Sequence, residues 1–268
     1  MPDDELRMPF WSHLDELRKR LTRSIIGIAL GFGLCFNFSE DILRVLLWPM
    51  NTKLSLTSVY PYVLATTNGE PQKLHYATLV EPFWSHLKMS LIAGLMLVFP
   101  FVMYQLWKFL SPGLLPKERR YAGFFVFFST IFFGVGVVFC YTALLPMAIP
   151  FLLHYKTEDL VAIIRMGDYI DFVLKFLLAS GIVFELPLII VLLTRMGLVT
   201  PDTLGKYRKF AILGSFIVGA MLTPTPDIFN QTLLSVPIYL LYEFGILASR
   251  IFGRKKKGKS GGAVANAD

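Results

Sequence analysis

Acidic side chains are outnumbered in this sequence, 19 Asp and Glu against 26 Lys and Arg, and a few of them stand where a carboxylate is conspicuous. Glu185, in Val183-Phe184-Glu185-Leu186-Pro187, lies near the middle of an otherwise apolar run. An acid at the centre of a membrane helix costs roughly 2.5–3.5 kcal/mol on insertion scales. It must be protonated, hydrogen-bonded inside a bundle, or matched to a polar partner helix. Pro187 beside it removes a backbone donor and is expected to kink the helix. Glu16 falls in Ser12-His13-Leu14-Asp15-Glu16-Leu17-Arg18-Lys19-Arg20-Leu21, and Glu118 in Lys117-Glu118-Arg119-Arg120. Each has a plainer reading beside a functional one. Ser12 with Asp15 resembles a capping box, Leu14, Leu17 and Leu21 share a face suited to the membrane surface, and Glu16 can pair with Arg20 at i,i+4. Pro116 and Glu118 suit the first turn of a helix, and Asp227 suits an N-cap. Lys88 and Lys175 can snorkel outward or pair with Glu81 or Asp171.

The elements that must position these groups are spanning helices. Hydrophobic residues make up 54% of the 268 positions, and the mean hydropathy is +0.57. Long uncharged stretches at that composition indicate an all-α membrane protein. Six spans are expected: 22–38, 89–107, one from 121 to beyond 150, 172–194, 210–221 and 228–242. The last two are short against the usual requirement of about 20 residues, and Thr223-Pro224-Thr225-Pro226 joins them. Basic residues crowd the N-terminal segment, the 108–120 loop, the 195–209 loop and the tail, whereas the alternate loops hold only Arg44, Lys53, Lys73, Lys156 and Arg165. Positive-inside then places both termini in the cytoplasm. Residues 1–253 are expected to form the membrane domain. Its external cap, about 39–82, carries Pro49, Trp48 and several tyrosines suited to the outer interface. The basic, then Gly/Ala-rich tail 254–268 is expected to be disordered. Cys35 and Cys140 lie in apolar runs and read as small buried hydrophobes. The four histidines show no ligand-like spacing, so no metal site or cofactor is expected. No Walker loop, G-x-S-x-G, H-E-x-x-H or C-x-x-C occurs, so no enzyme activity is expected.

Taken together, these pieces resemble the TatC family. The most specific are 13–21, then Tyr104-Gln105-Leu106-Trp107-Lys108-Phe109, Lys117-Glu118-Arg119-Arg120, Phe184-Glu185-Leu186-Pro187, and Leu222-Thr223-Pro224 through Asp227-Ile228-Phe229-Asn230-Gln231-Thr232. They occur in order, at matching places among the spans, from about Pro9 to Ile251. The resemblance implies a concave, glove-like bundle of six tilted helices in the bacterial inner membrane. It implies a receptor for twin-arginine signal peptides of folded cargo, working with TatA- and TatB-type single-span subunits, self-associating in a larger complex, and driven by the protonmotive force. A face this basic should repel two arginines, so recognition needs local carboxylates that can meet a guanidinium with paired hydrogen bonds. Glu118 and Glu16 are assigned that role, with Leu17 and Phe109 giving apolar contact. Arg18 and Arg20 would orient the acids or bind lipid headgroups. Glu185 and Gln231 are assigned to partner-helix contact, and Pro49 and Asp227 to the outer cap.

Two rival readings remain open from the residues alone. A secondary transporter or proton channel would use Glu185 as its protonation site, though no internal repeat supports one. A scaffold would bind no peptide of its own.

Overall fold

In the computed structural model, residues 10–56, 63–67, 73–110, 122–154, 163–223 and 228–252 are described. The first helix, α1 (Phe10–Asn37), is 28 residues long. The chain then turns through 79° into α2 (Ser39–Leu47) and a 3₁₀ turn, Trp48–Asn51. Strands β1 (Thr52–Leu56) and β2 (Val63–Thr67) form an antiparallel hairpin in the cap, pairing Thr52 with Thr67 and Leu56 with Val63. This hairpin is a small addition to the all-α membrane fold expected from the sequence. Among the described residues the cap also holds α2, the 3₁₀ turn and a bridge between His75 and Arg165.

The second span is two helices, α3 (Glu81–Leu97) and α4 (Phe99–Leu110), bent by 57°. Pro100 accounts for the bend, since its ring cannot continue the preceding helical turn. Val98 N–H still donates to Gly94 O at 3.0 Å, and Val102 N–H restarts the ladder on Val98 O. The third span is α5 (Ala122–Phe139), a π-helical stretch at Cys140–Leu144, and α6 (Leu145–His154). Its apolar run of 31 residues is longer than a bilayer needs, as expected. The fourth is α7 (Met166–Phe184) and α8 (Leu186–Arg195), broken at Glu185. A short α9 (Pro201–Lys206) leads to α10 (Arg208–Leu222) and α11 (Ile228–Phe252).

The protein is thus a six-helix membrane protein. Its fifth span is short, at 15 residues. The sixth corrects the expected end at 242: α11 runs 25 residues to Phe252. Glu243 does not end it because its carboxylate is matched, accepting from the Arg208 guanidinium at 2.7–2.8 Å and the Tyr239 hydroxyl at 2.8 Å.

Without a water-driven hydrophobic force between spans, close backbone contact does much of the packing. A Cβ on Gly94 would meet Phe32 N at 2.5 Å, so α1 and α3 touch backbone to backbone there. Small hydroxyls bridge other helix pairs: Ser180 Oγ donates to Gly136 O at 2.9 Å, and Ser235 Oγ to Ser215 O at 3.0 Å. The largest buried cluster lies beneath the cap, around Met50, Met89, Cys140, Leu145 and Ile170. Pro49 is fully buried there. Tyr169 donates to Leu46 O at 2.6 Å and Tyr141 to Val45 O at 2.8 Å, while Trp48 stacks on Tyr141. A second cluster at the opposite end packs Trp107 on Phe125. Cys35 and Cys140 are both buried and free.

Salt links brace the cap side of the bundle. Lys88 Nζ reaches both Asp171 oxygens at 2.8 Å, joining α3 to α7. Glu81 does not take Lys88. Its carboxylate accepts from the backbone amides of Ala77 and Gly167 at 2.8 and 2.9 Å and faces Arg165 at 3.6 Å. Those amides, with Arg165 nearby, hold its carboxyl below the usual carboxylate range.

Candidate functional site

At the basic end of the bundle, the start of α1 meets the end of α4. Glu16 Oε1 accepts from Arg20 at 2.9 Å one helical turn on, and Arg20's other terminal nitrogen reaches Gln105 Oε1 on α4 at 3.3 Å. The guanidinium therefore bridges two helices and fixes Glu16 in the same act. Both side chains are mostly shielded, with 21% of Glu16 and 16% of Arg20 exposed. Gln105 is buried. Lys108 lies 5.1 Å from the Tyr104 ring centre on the same face of α4. Leu17 is 41% exposed, Arg18 is exposed, and Phe109 is half-buried at the end of α4. The expected Glu16–Arg20 pair forms, and it is part of a larger cluster. Gln105 was the participant that sequence reasoning left without a role. Its signal was present, an amide inside an otherwise apolar span. Glu118 lies outside the described residues, as does Asp227.

Chemically, this rim offers one carboxylate held in a fixed pose within a cationic neighbourhood. Oε1 is occupied by Arg20. Among the described residues Oε2 accepts nothing, so it can receive an incoming donor. A hydrogen bond to such a charged group contributes about 1.5–3 kcal/mol, less where water reaches.

A second polar site sits at the α7–α8 break. Pro187 leaves the helix ladder interrupted: Glu185 N–H donates to Ile182 O at 3.1 Å, and Ile189 N–H resumes the ladder on Glu185 O at 2.9 Å. Only 7% of Glu185 is exposed. Ser129 on α5 is its polar neighbour. Yet Ser129 Oγ and Glu185 Oε1 are both buried without a completed hydrogen bond. Gln231, half-buried, donates from Nε2 to Phe216 O at 3.0 Å and so ties α11 to α10. The sites of Glu185 and Gln231 are built on different helix pairs. On another face of α11, an apolar groove of about 750 Å³ runs between the π-helical stretch and the start of that helix, lined by Phe139, Leu144, Phe229, Thr232, Val236 and Pro237.

Comparison with known proteins gives one consistent result. The family described as Sec-independent protein translocase protein (TatC) matches residues 12–237. The chain is 38% identical over 268 residues to the Sec-independent protein translocase protein TatC of Desulforapulum autotrophicum, covering all of this chain and 94% of that one. It is 37% identical to the TatC protein of Deinococcus radiodurans, over 94% of this chain and 89% of that one. The TatC protein of Escherichia coli K12 is 34% identical, over 94% and 92%. A crystal structure described as the twin arginine translocase receptor TatC superposes with a TM-score of 0.73 at 34% identity, covering 90% of this chain and all of that one. With that family match spanning most of its length and a six-helix fold shared with a solved member, the chain belongs to the TatC family, membrane components of the Sec-independent protein translocase.

Proposed function

We propose that this chain is the receptor subunit for twin-arginine signal peptides, with both termini in the cytoplasm of a cell whose inner membrane it spans. The observation that carries the reading is Glu16. Its carboxylate is held by the Arg20–Gln105 bridge at the basic end of the bundle, with Leu17 and Phe109 on the same rim. A peptide bearing two arginines would be repelled by that end as a whole and needs a fixed local anion. In this reading Glu16 takes one guanidinium or its flank and Glu118 the other. Arg18 and Arg20 orient the acids, and Leu17 and Phe109 supply the apolar contact.

Glu185 serves the partner side. Its buried, unmatched oxygen is suited to a polar group on an arriving single-span helix of the TatA or TatB type. The apolar groove along the start of α11 offers such a helix apolar surface. Transport of folded cargo then draws on the protonmotive force, in a complex of several copies. Residues 1–253 act as the membrane unit, and the tail 254–268 lies on the cytoplasmic side.

Site-specific crosslinking of a twin-arginine peptide to membranes containing the chain tests the reading, against a twin-lysine peptide. Glu118→Lys and Glu16→Lys should each abolish the twin-arginine adduct. Normal crosslinking by both variants, or equal capture of the twin-lysine peptide, would remove the site.

A further inference from the structure

The basic run at the start of α1 divides by direction. Arg20 turns inward to Glu16 and Gln105. Arg18, Lys19 and Arg23 are exposed, and none of the three has an ion-pair partner among the described residues. With Asp15 and Thr22 they line a recess of about 400 Å³. The Thr22 hydroxyl donates to Arg18 O at 2.8 Å, so its oxygen remains an acceptor facing the recess.

The face that begins with Lys19 and Arg23 continues at helical spacing through Ile26, Leu30 and Leu34, which are 55%, 72% and 54% exposed. At 1.5 Å per residue, the stretch from Arg23 to Leu34 covers about 16 Å. That is about the depth of one leaflet of a ~30 Å hydrocarbon core. A cationic recess therefore opens directly onto an apolar track one leaflet deep.

We infer that this face of α1 is a binding site for an anionic phospholipid, with its phosphate among Arg18, Lys19 and Arg23 and an acyl chain along Ile26, Leu30 and Leu34. A ligand with an anionic head and a long apolar tail uses both halves of the surface. Inorganic phosphate would use only one. Asp15 at the lip disfavours a highly charged anion and can accept from a headgroup hydroxyl, which points to a singly charged, glycerol-bearing head. The site shares only Arg18 with the peptide-binding rim, and Lys19, Thr22 and Arg23 have no part in that reading.

The test uses the purified full chain in detergent, titrated with phosphatidylglycerol or phosphatidylcholine and read by native mass spectrometry. The wild type should retain phosphatidylglycerol in preference. Lys19→Gln with Arg23→Gln should weaken that binding about 25-fold, at roughly fivefold per basic residue removed. Lys19→Arg with Arg23→Lys should keep it. Arg44→Gln, an exposed basic residue elsewhere, should change nothing. Leu30→Ser should weaken binding without altering charge, and it tests the tail half should the double variant unfold. Equal retention of the two lipids by the wild type would overturn the inference. So would undiminished phosphatidylglycerol binding in both the double variant and Leu30→Ser, or displacement of the lipid by inorganic phosphate.

Discussion

Replacing Glu185 by methionine should strengthen the isolated chain while weakening its association with partner helices. Glu185 is enclosed by its own bundle, and Oε1 has no hydrogen-bond partner there. A buried polar atom left unmatched costs about 1–3 kcal/mol. Methionine is close in length, unbranched and able to fill irregular space, so Glu185→Met should recover about that much. Replacing a buried polar group by a well-packed apolar one is often stabilising for the same reason. Ser129 Oγ is then left without its neighbour, but a helical serine can turn to its own i−4 carbonyl, as Thr130 does to Val126 O at 2.9 Å. The assay is reversible unfolding of the purified chain in mixed detergent micelles, with co-purification of the single-span partners measured in parallel. The expected result is a higher unfolding free energy together with reduced partner recovery and unchanged signal-peptide crosslinking. A destabilised Glu185→Met chain would show that the carboxyl is a structural strut, and the reasoning from the unmatched oxygen would be refuted.

Tyr169→Phe should cost about 1–3 kcal/mol in the same unfolding assay, because it leaves the Leu46 carbonyl without its 2.6 Å donor in a buried setting. Glu81 sets a pH dependence at the junction of the cap with α7. Because its carboxyl is held below the ordinary range, the stabilisation is present at neutral pH and is lost as pH falls through that lowered value. The protection of the Ala77 and Gly167 amides against hydrogen exchange, taken relative to the intrinsic rate at each pH, should fall on acidification, and Glu81→Gln should flatten that response. Exchanging the charges of Lys88 and Asp171 should leave stability nearly unchanged, while each single reversal costs about 1 kcal/mol or less, since both side chains are 40% or more exposed. A large loss in the exchanged double variant would show that the pair does more than brace α3 against α7.

The spans were legible because each is a predominantly apolar run with at most two charges, and the break in the fourth was marked by Glu185 and by Pro187 two positions on. The end of the sixth was not, because Glu243 reads as a charge that stops a span. Its neutralising partner, Arg208, lies 35 positions away. Likewise Pro100 signals a bend that an unbroken apolar run from 89 to 107 conceals. The hairpin in the cap was illegible because Lys53-Leu54-Ser55-Leu56 alternates over only four residues and its partner Val63–Thr67 does not alternate at all. Of the candidate site, the Glu16–Arg20 pair follows from spacing alone. The link from Arg20 to Gln105 depends on how α1 crosses α4, which no local pattern encodes. The lack of a completed bond between Ser129 and Glu185 depends on how α5 packs against the α7–α8 break and leaves no trace in residue order.

The two tyrosines under the cap have a mechanical consequence. Tyr141 belongs to the third span and Tyr169 to the fourth, and they grasp adjacent carbonyls, Val45 and Leu46, in a single turn of α2. Neighbouring columns are thereby fastened to one lintel. Prising them apart at that end would tear away at least one fastening or drag the lintel sideways. At the opposite end the same two columns meet through side chains instead, with Phe125 and Val191 in one buried cluster and Arg195 lying 5.7 Å from the Phe125 ring centre, so the cap end is held by backbone-anchored fastenings and the other by packing.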